Sequence, residues 1–314
     1  MPNASIPHHR PSFGMSITPW NASGDIDEGA FKRHLHYMAD AGNGLCIGAP
    51  NSSEGHLLSR EERIRLYQLA AKEFKGKVPL CGTILGPGYT KWMVQQFKDA
   101  YDNGMDTAQV YPAAPTMVNQ ITVKEAEHYY RTIIESTKLP VMPCNYNGSP
   151  RMFDTADGRM PAELFIKLVN DYENVCGLVM TGDAAFLKAV NAGVKGKVKV
   201  HVAGSRSLWD NLEAGGYGFL STEQNIIPRH CALACETYHK GDKVKARELF
   251  DKIVATTMVI MAHKYPRPDK PMLNHLGFKV GKLREPYLPL EPAEERQLFQ
   301  EFDALNVRTL EGIK

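Results

Sequence analysis

The stretch Asn174-Val175-Cys176-Gly177-Leu178-Val179-Met180-Thr181-Gly182-Asp183 is an apolar run that stops in a small, polar turn. A short run of this kind, bounded by turn residues, reads as a strand buried on both faces, as in a parallel sheet covered by helices. The residues just beyond it agree. Asp183 stands where a helix N-cap accepts an amide hydrogen bond, and Lys188 falls within the helix it would start.

Working outward, the same unit recurs. Strand-like runs at 13–17, 44–48, 78–81, 107–111, 141–144, 198–202 and 218–220 alternate with helical segments, such as the one that repeats Phe31, Leu35 and Met38 on one face. Ser59 and Glu62 form a capping box at the start of another helix. Eight strand-helix units with no linker predict an α/β fold, a closed (β/α)8 TIM barrel over 13–235. Eight parallel strands can fill their own interior and leave no sheet edge. Residues 1–12 form an N-terminal extension. Residues 236–314 read as a C-terminal helical extension packed on the barrel, with helices near 243–264 and 293–305 and a proline-rich connection between them.

Composition narrows the partners. The chain has 314 residues, 43% hydrophobic and 23% charged, and a formal net charge of +2. Its Lys and Arg residues are interspersed with Asp and Glu, which argues against nucleic acid or an anionic membrane and for a small-molecule ligand. No apolar stretch has the length of a signal peptide or a membrane span, so a cytoplasmic protein is expected. Cys46, Cys81, Cys144 and Cys176 lie in or beside strand-like runs, and Cys231 and Cys235 share a helical face, a pattern of reduced, buried thiols. His230, Cys231 and Cys235 lack a CxxC pair and a fourth ligand; no metal or other cofactor is expected.

In a barrel of this kind the active site is built where the strands end. The residues there include Thr18-Pro19-Trp20, Asn51-Ser52-Ser53-Glu54, Leu58-Ser59-Arg60-Glu61-Glu62-Arg63, Gly82-Thr83, Leu139-Pro140-Val141, Ala203-Gly204 and Asn225-Ile226-Ile227-Pro228. With Asn174, Gly177, Lys270-Pro271 and Pro286-Tyr287-Leu288-Pro289-Leu290, the chain resembles, nearly end to end, the dihydrodipicolinate synthase and N-acetylneuraminate lyase family of class I aldolases. The resemblance implies a 2-oxo acid bound as an imine to a lysine, a tyrosine that moves protons, and a loop that holds the substrate carboxylate. It also implies a homo-oligomer, tetramer or dimer. The protonated imine matters because it stabilises the adjacent carbanion, which a neutral carbonyl does poorly.

The chain departs from that pattern at its centre, because Val179 occupies the position of the imine-forming lysine. Lys197 and Lys199 flank or enter the seventh strand; there a lysine either faces the barrel or reaches solvent along its stem. Asn51, Ser52 and Ser53 keep the hydroxyl, amide and backbone N–H groups an anion needs. The family tyrosine falls on Cys144 or on Tyr146, depending on whether Leu139-Pro140-Val141 or Tyr146-Asn147 anchors the comparison. Two residues apart, both share a face. A second family tyrosine, on the loop after the fourth strand, is not found in Tyr111-Pro112-Ala113-Ala114.

The candidate catalytic residues are therefore Tyr146 and His201. The latter is an acid or base near neutral pH if its strand face points inward and a packed side chain otherwise. Candidate substrate-binding residues are Asn51, Ser52, Ser53, Asn145, Arg151, Thr181 and Ser205, with Arg151 suited to a carboxylate. Asp183 reads as a cap and Glu54 as a brace. The function expected is a lyase-type reaction, aldol cleavage or condensation, or hydration or dehydration, on a small 2-oxo acid or related carboxylate, without the lysine imine. The alternative is a catalytically inactive ligand-binding or regulatory relative.

Overall fold

The computed structural model describes residues 3–85, 89–112, 121–146 and 160–313. The eight apolar runs become β1 (Ser12–Met15), β2 (Gly44–Ile47), β3 (Leu80–Ile84), β4 (Thr107–Val110), β5 (Val141–Pro143), β6 (Gly177–Met180), β7 (Lys199–Ala203) and β8 (Gly218–Ser221). They pair in the order β5-β4-β3-β2-β1-β8-β7-β6. The two ends of that order meet. The Val141 amide donates to the Asn174 carbonyl at 2.8 Å and the Asn145 amide to the Val179 carbonyl at 3.2 Å. Parallel bridges join Val141 to Val175 and Cys144 to Val179. The sheet is thus a closed barrel, which removes the edges a parallel sheet would otherwise expose.

Strand alternation sorts the side chains into two shells. Phe13, Met15, Cys46, Cys81, Met142, Cys144, Val179 and Leu220 fill the barrel. Leu45, Ile47, Leu80, Ala108, Leu178, Met180, Val200 and Val202 face outward, under the helices. The third strand runs past the Gly82-Thr83 expected to end it. The Thr83 hydroxyl meets the Cys46 thiol at 2.9 Å inside the barrel, so a polar residue continues the strand. All six cysteines are buried and free, as their sequence positions indicate.

The outer layer is α1 (Glu28–Asp40), α2 (Arg60–Phe74), α3 (Thr90–Asp102), α4 (Val123–Glu135), α5 (Ala162–Asp171), α6 (Ala184–Val194), α7 (Leu208–Glu213) and α8 (Pro228–His239). The capping box of α2 is present: Glu62 N–H donates to Ser59 Oγ at 3.1 Å, and Ser59 N–H to Glu62 Oε2 at 2.8 Å. Asp183 caps α6 by accepting from the Phe186 amide at 2.9 Å. The N-terminal segment closes the bottom of the barrel. Asn3 Nδ2 donates to the carbonyls of Val169, Tyr172 and Val175, and Ile6 is buried in the inner cluster.

The C-terminal extension contributes α9 (Lys243–Ala262), α10 (Asp269–His275), α11 (Pro292–Ala304) and α12 (Val307–Glu311). It is fastened to the barrel by an ion pair: Lys270 Nζ lies 2.5 Å from Glu54 Oε2, and both side chains are 0% exposed. Glu54 also accepts from Trp20 Nε1 at 3.0 Å and from the Arg284 amide at 2.6 Å, while Lys270 donates to the Lys282 carbonyl at 2.8 Å. Burial pulls the Lys270 ammonium down to about 8, against the opposing pull of Glu54. Among the described residues no helix is long and apolar enough to cross a membrane.

Breaking one half of a buried pair strands the other charge, which costs about 3–5 kcal/mol, whereas replacing both partners with uncharged groups costs much less. Glu54→Gln is expected to lose stability in that range by urea unfolding. Glu54→Gln combined with Lys270→Met should recover a large part of the loss.

Candidate active site

At the C-terminal ends of the strands the barrel opens into a cavity of about 330 Å³. Its wall includes Asn51, Tyr111, Tyr146, Thr181, Arg206, Glu223 and Tyr265. No lysine or histidine lines it among the described residues, and Arg206 is its one basic side chain there. Val179 is fully buried in the inner cluster, facing Cys144 across the β5–β6 seam. Lys197 donates to Asn170 Oδ1 at 2.6 Å on the surface, and the Lys199 ammonium sits 4.4 Å from the ring centre of Tyr217. Neither reaches the cavity.

The tyrosine alternatives resolve into two depths of one strand face. Tyr146 lines the cavity, and Cys144 lies beneath it, its Sγ accepting from the Tyr146 amide at 3.2 Å. Burial pushes the Cys144 thiol up to about 12, so it stays protonated. Tyr111 directly follows β4 and packs edge-on against Tyr146, ring centres 6.0 Å apart. A tyrosine thus stands at the end of the fourth strand itself, although the loop beyond it offers none. Burial holds Tyr111 and Tyr265 well above the ordinary phenol range, so both remain neutral phenols.

The polar loops divide between holding ligand-facing groups and holding one another. Residues Asn51–Ser53 form a 3-10 turn, and the first amides of such a turn have no acceptor within it. Asn51 reaches the cavity. Ser52 Oγ lies 2.6 Å from Thr222 Oγ1 and 3.0 Å from the Tyr265 hydroxyl. Ser53 is buried; its carbonyl accepts from Thr18 Oγ1 at 2.6 Å, and its hydroxyl has no partner among the described residues. Asn145 is a latch across the seam: Oδ1 accepts from the Thr181 amide at 2.5 Å, and Nδ2 donates to the Thr181 carbonyl at 2.8 Å. Thr181 lines the cavity. Arg151 and Asn147 lie outside the described residues.

Two expectations shift. Ser205 is at the mouth, but its hydroxyl is spent on Glu223 Oε1 at 2.8 Å and on Thr257 Oγ1 at 2.6 Å, so it orients a carboxylate. Of the two faces left open for His201, the structure gives the inward one, but at the end of the barrel away from the cavity. Its Nε2 lies 3.2 Å from the Arg10 carbonyl, and its ring stacks on His9 at 5.0 Å beneath the N-terminal segment. Burial brings the His201 imidazole down to about 4, so it is neutral at physiological pH, and it is not part of the cavity wall.

Glu223, which no sequence pattern singles out, is the carboxylate of the cavity. It is 1% exposed; Ser205 and Thr257 hold Oε1, and Oε2 has no hydrogen-bond partner among the described residues. Behind the wall lies a second carboxyl, Asp269, with Oδ2 accepting from Thr222 Oγ1 at 3.0 Å. Burial, with the like charge of Glu223 adding to it, pushes Asp269 up to about 7. Glu223 closes the last strand's polar end, so inspection of every strand terminus would have found it. Asp269 carries no such sign.

The chain matches the profile of the dihydrodipicolinate synthetase family across residues 9–305 and belongs to that family. The 4-hydroxy-tetrahydrodipicolinate synthase of Alkaliphilus oremlandii is 26% identical over 296 residues, 93% of this chain and 97% of the relative. The enzyme of the same name from Bacillus subtilis is 26% identical over 284 residues, 90% of this chain and 94% of the relative. The crystal structure of dihydrodipicolinate synthase from Thermotoga maritima superposes with a TM-score of 0.86 at 22% identity, over 96% of this chain and 99% of that one.

The Asp269 carboxyl ties stability to pH. Between the ordinary aspartate value of 3.8 and about 7, the native state keeps a proton that the unfolded chain has released. Native stability therefore falls as pH rises through that window, by up to about 1.4 kcal/mol per pH unit for this group, and the dependence vanishes above it. Asp269→Asn removes the effect. Compared by urea unfolding at pH 4.5 and 7.5, the variant should gain stability relative to wild type at the higher pH.

Proposed function

We propose that this protein is a lyase-type enzyme, making or breaking a bond beside the carbonyl of a small 2-oxo acid or related carboxylate, by aldol or hydration chemistry that does not pass through a lysine imine. The observation that carries the reading is Glu223 Oε2, a buried carboxylate oxygen without a partner among the described residues, on the wall of a cavity that also holds Arg206 and three tyrosines.

Without an imine, the negative charge that develops when the bond breaks must be held as an enolate, and fixed hydrogen-bond donors are the means available. Tyr111 and Tyr265 suit this because burial keeps them as phenols. Tyr146, also on the cavity wall, is the proposed carrier of the exchanging proton. Arg206, with the amides at the start of the 51–53 turn that have no acceptor within it, suits the substrate carboxylate. Glu223 takes the proton of the adduct hydroxyl. The carbon–carbon bond then breaks, its electron pair becomes the enolate, and the proton returns to carbon through Tyr146 or Glu223. In the hydration direction the same carboxylate takes a proton from water.

Family membership and relatives named as 4-hydroxy-tetrahydrodipicolinate synthases support a lyase, and the imine-free route rests on this chain's own cavity. Purified protein is expected to turn over members of a panel of 2-oxo acids and their aldol adducts. Glu223→Gln and Tyr146→Phe should each lower kcat by about 10²–10⁴ with a much smaller change in KM, as for a lost acid–base group. Ligand-dependent thermal stabilisation without turnover across the panel would contradict this reading and assign the inactive, ligand-binding alternative.

A further inference from the structure

Three hydroxyls run in a line from the cavity wall to a buried carboxyl. Ser52 Oγ donates to the Tyr265 hydroxyl at 3.0 Å and lies 2.6 Å from Thr222 Oγ1, where either can donate, and Thr222 Oγ1 lies 3.0 Å from Asp269 Oδ2. The four groups come from four separate parts of the chain: the segment after α9, the turn after β2, the end of β8, and the start of α10.

Each hydroxyl has one proton, and this fixes how the line can be arranged. When Asp269 is ionised it only accepts, so Thr222 spends its proton on Asp269. The 2.6 Å contact between Ser52 and Thr222 then needs the Ser52 proton, so Ser52 no longer donates to Tyr265 as it does in this structure, and that contact is kept only if the Tyr265 O–H turns to donate instead. Every O–H points toward Asp269, and Tyr265 offers the cavity a lone pair. When Asp269 is protonated it donates to Thr222, Thr222 to Ser52 and Ser52 to Tyr265. Every O–H has turned round, and Tyr265 points its own proton into the cavity.

We propose that Asp269, acting through Thr222 and Ser52, sets whether the Tyr265 phenol is a hydrogen-bond donor or acceptor at the cavity wall, and so whether the site receives a carbonyl or alkoxide oxygen or a proton-bearing group there. Asp269 is a positioning residue; Tyr265 is the group that touches the ligand. Passage of a proton inward is balanced. The cavity species gives its proton to the Tyr265 oxygen, and the Tyr265, Ser52 and Thr222 protons each move one oxygen along. The Asp269 carboxylate then becomes a carboxylic acid, with every O–H bond broken matched by one formed and no change of oxidation state.

The surroundings suit such a carboxyl. Asp269 is wholly buried, and its Oδ1 has no hydrogen-bond partner among the described residues. The titratable groups around it are Glu223 beyond β8 and Tyr265, with Tyr146 acting on Tyr265 from the end of β5. The adjacent Lys270 sends its ammonium to Glu54 and leaves Asp269 uncompensated. Burial and Glu223 together bring its titration to about 7, where a modest change of pH or ligand charge reverses the line.

The identity of the ligand oxygen rests on the functional reading above, but the coupling does not, so the test needs no substrate. Infrared difference spectra of the full-length, ligand-free protein between about pH 5.5 and 8.5 should show a protonated-carboxyl band disappearing near pH 7, together with a tyrosine band that changes with the same midpoint. Asp269→Asn should remove both signals. Tyr265→Phe should keep the carboxyl signal and lose the tyrosine one. Thr222→Val, which breaks the line in its middle, should keep a carboxyl signal while the tyrosine change disappears. A tyrosine change that survives Thr222→Val, or a carboxyl titration with no tyrosine response in wild type, would overturn the proposal while leaving the lyase reading standing. Absence of turnover with the infrared coupling intact would do the reverse.

Discussion

A lysine and a glutamate that are both wholly out of solvent hold this molecule in its working arrangement. Glu54 ends the turn that begins with Asn51, and Lys270 lies in the first turn of α10, so their ion pair ties the loop beyond β2 to the C-terminal extension. Trp20, from beyond β1, donates to the same carboxylate and carries the Arg284 guanidinium 3.7 Å from its ring centre. Three segments far apart in sequence are thereby fixed to one buried charge. Ser52 lies two residues before Glu54 and Asp269 one before Lys270, so the pair also sets the distances along the hydroxyl line. A loose extension would leave Tyr265 and Asp269 out of register with the barrel. A buried ion pair is weak evidence for added stability, since desolvation offsets most of the attraction. Its value here is positional, because separating the two segments strands a charge on each.

The chemistry depends on what the barrel interior leaves at its top. Below the cavity the core is apolar and thiol-rich, and Val179 sits in the closing seam between β5 and β6 where the family resemblance places a lysine. On that resemblance, the side chain there offers no amine for an imine. What the cavity offers is a guanidinium, phenols that burial keeps neutral, and a carboxylate with one oxygen held and the other without a partner among the described residues. Under the proposed function these serve as a clamp for the substrate carboxylate, donors for a developing oxyanion, and a base. The second carboxyl, Asp269, lies further out. It differs from Glu223 in reaching the cavity only through other side chains.

Much of the fold was legible because strand and helix periods are local. Each apolar run, each cap such as Ser59 and Asp183, and the parallel βα repeat can be read within about ten residues, and eight repeats leave few ways to close a sheet. The site was legible to the extent that it, too, sits at strand ends: Asn51, Tyr146, Thr181 and Ser205 do come to the mouth. His201 shows the limit. Alternation gives the face of a strand but not the height along the barrel, and the ring points down under the segment that carries His9 and Arg10. Asp269 and Tyr265 were invisible for a different reason. Their significance lies in contacts with Ser52 and Thr222, and no periodicity encodes a contact across that separation.

Whether this cavity works on a 2-oxo acid without forming an imine is tested most directly by incubating the protein with pyruvate and sodium borohydride, then recording the intact mass. An unchanged protein mass, in a sample whose turnover survives the treatment, is the predicted result. A reduced pyruvyl adduct on any lysine, with matching loss of activity, would contradict it.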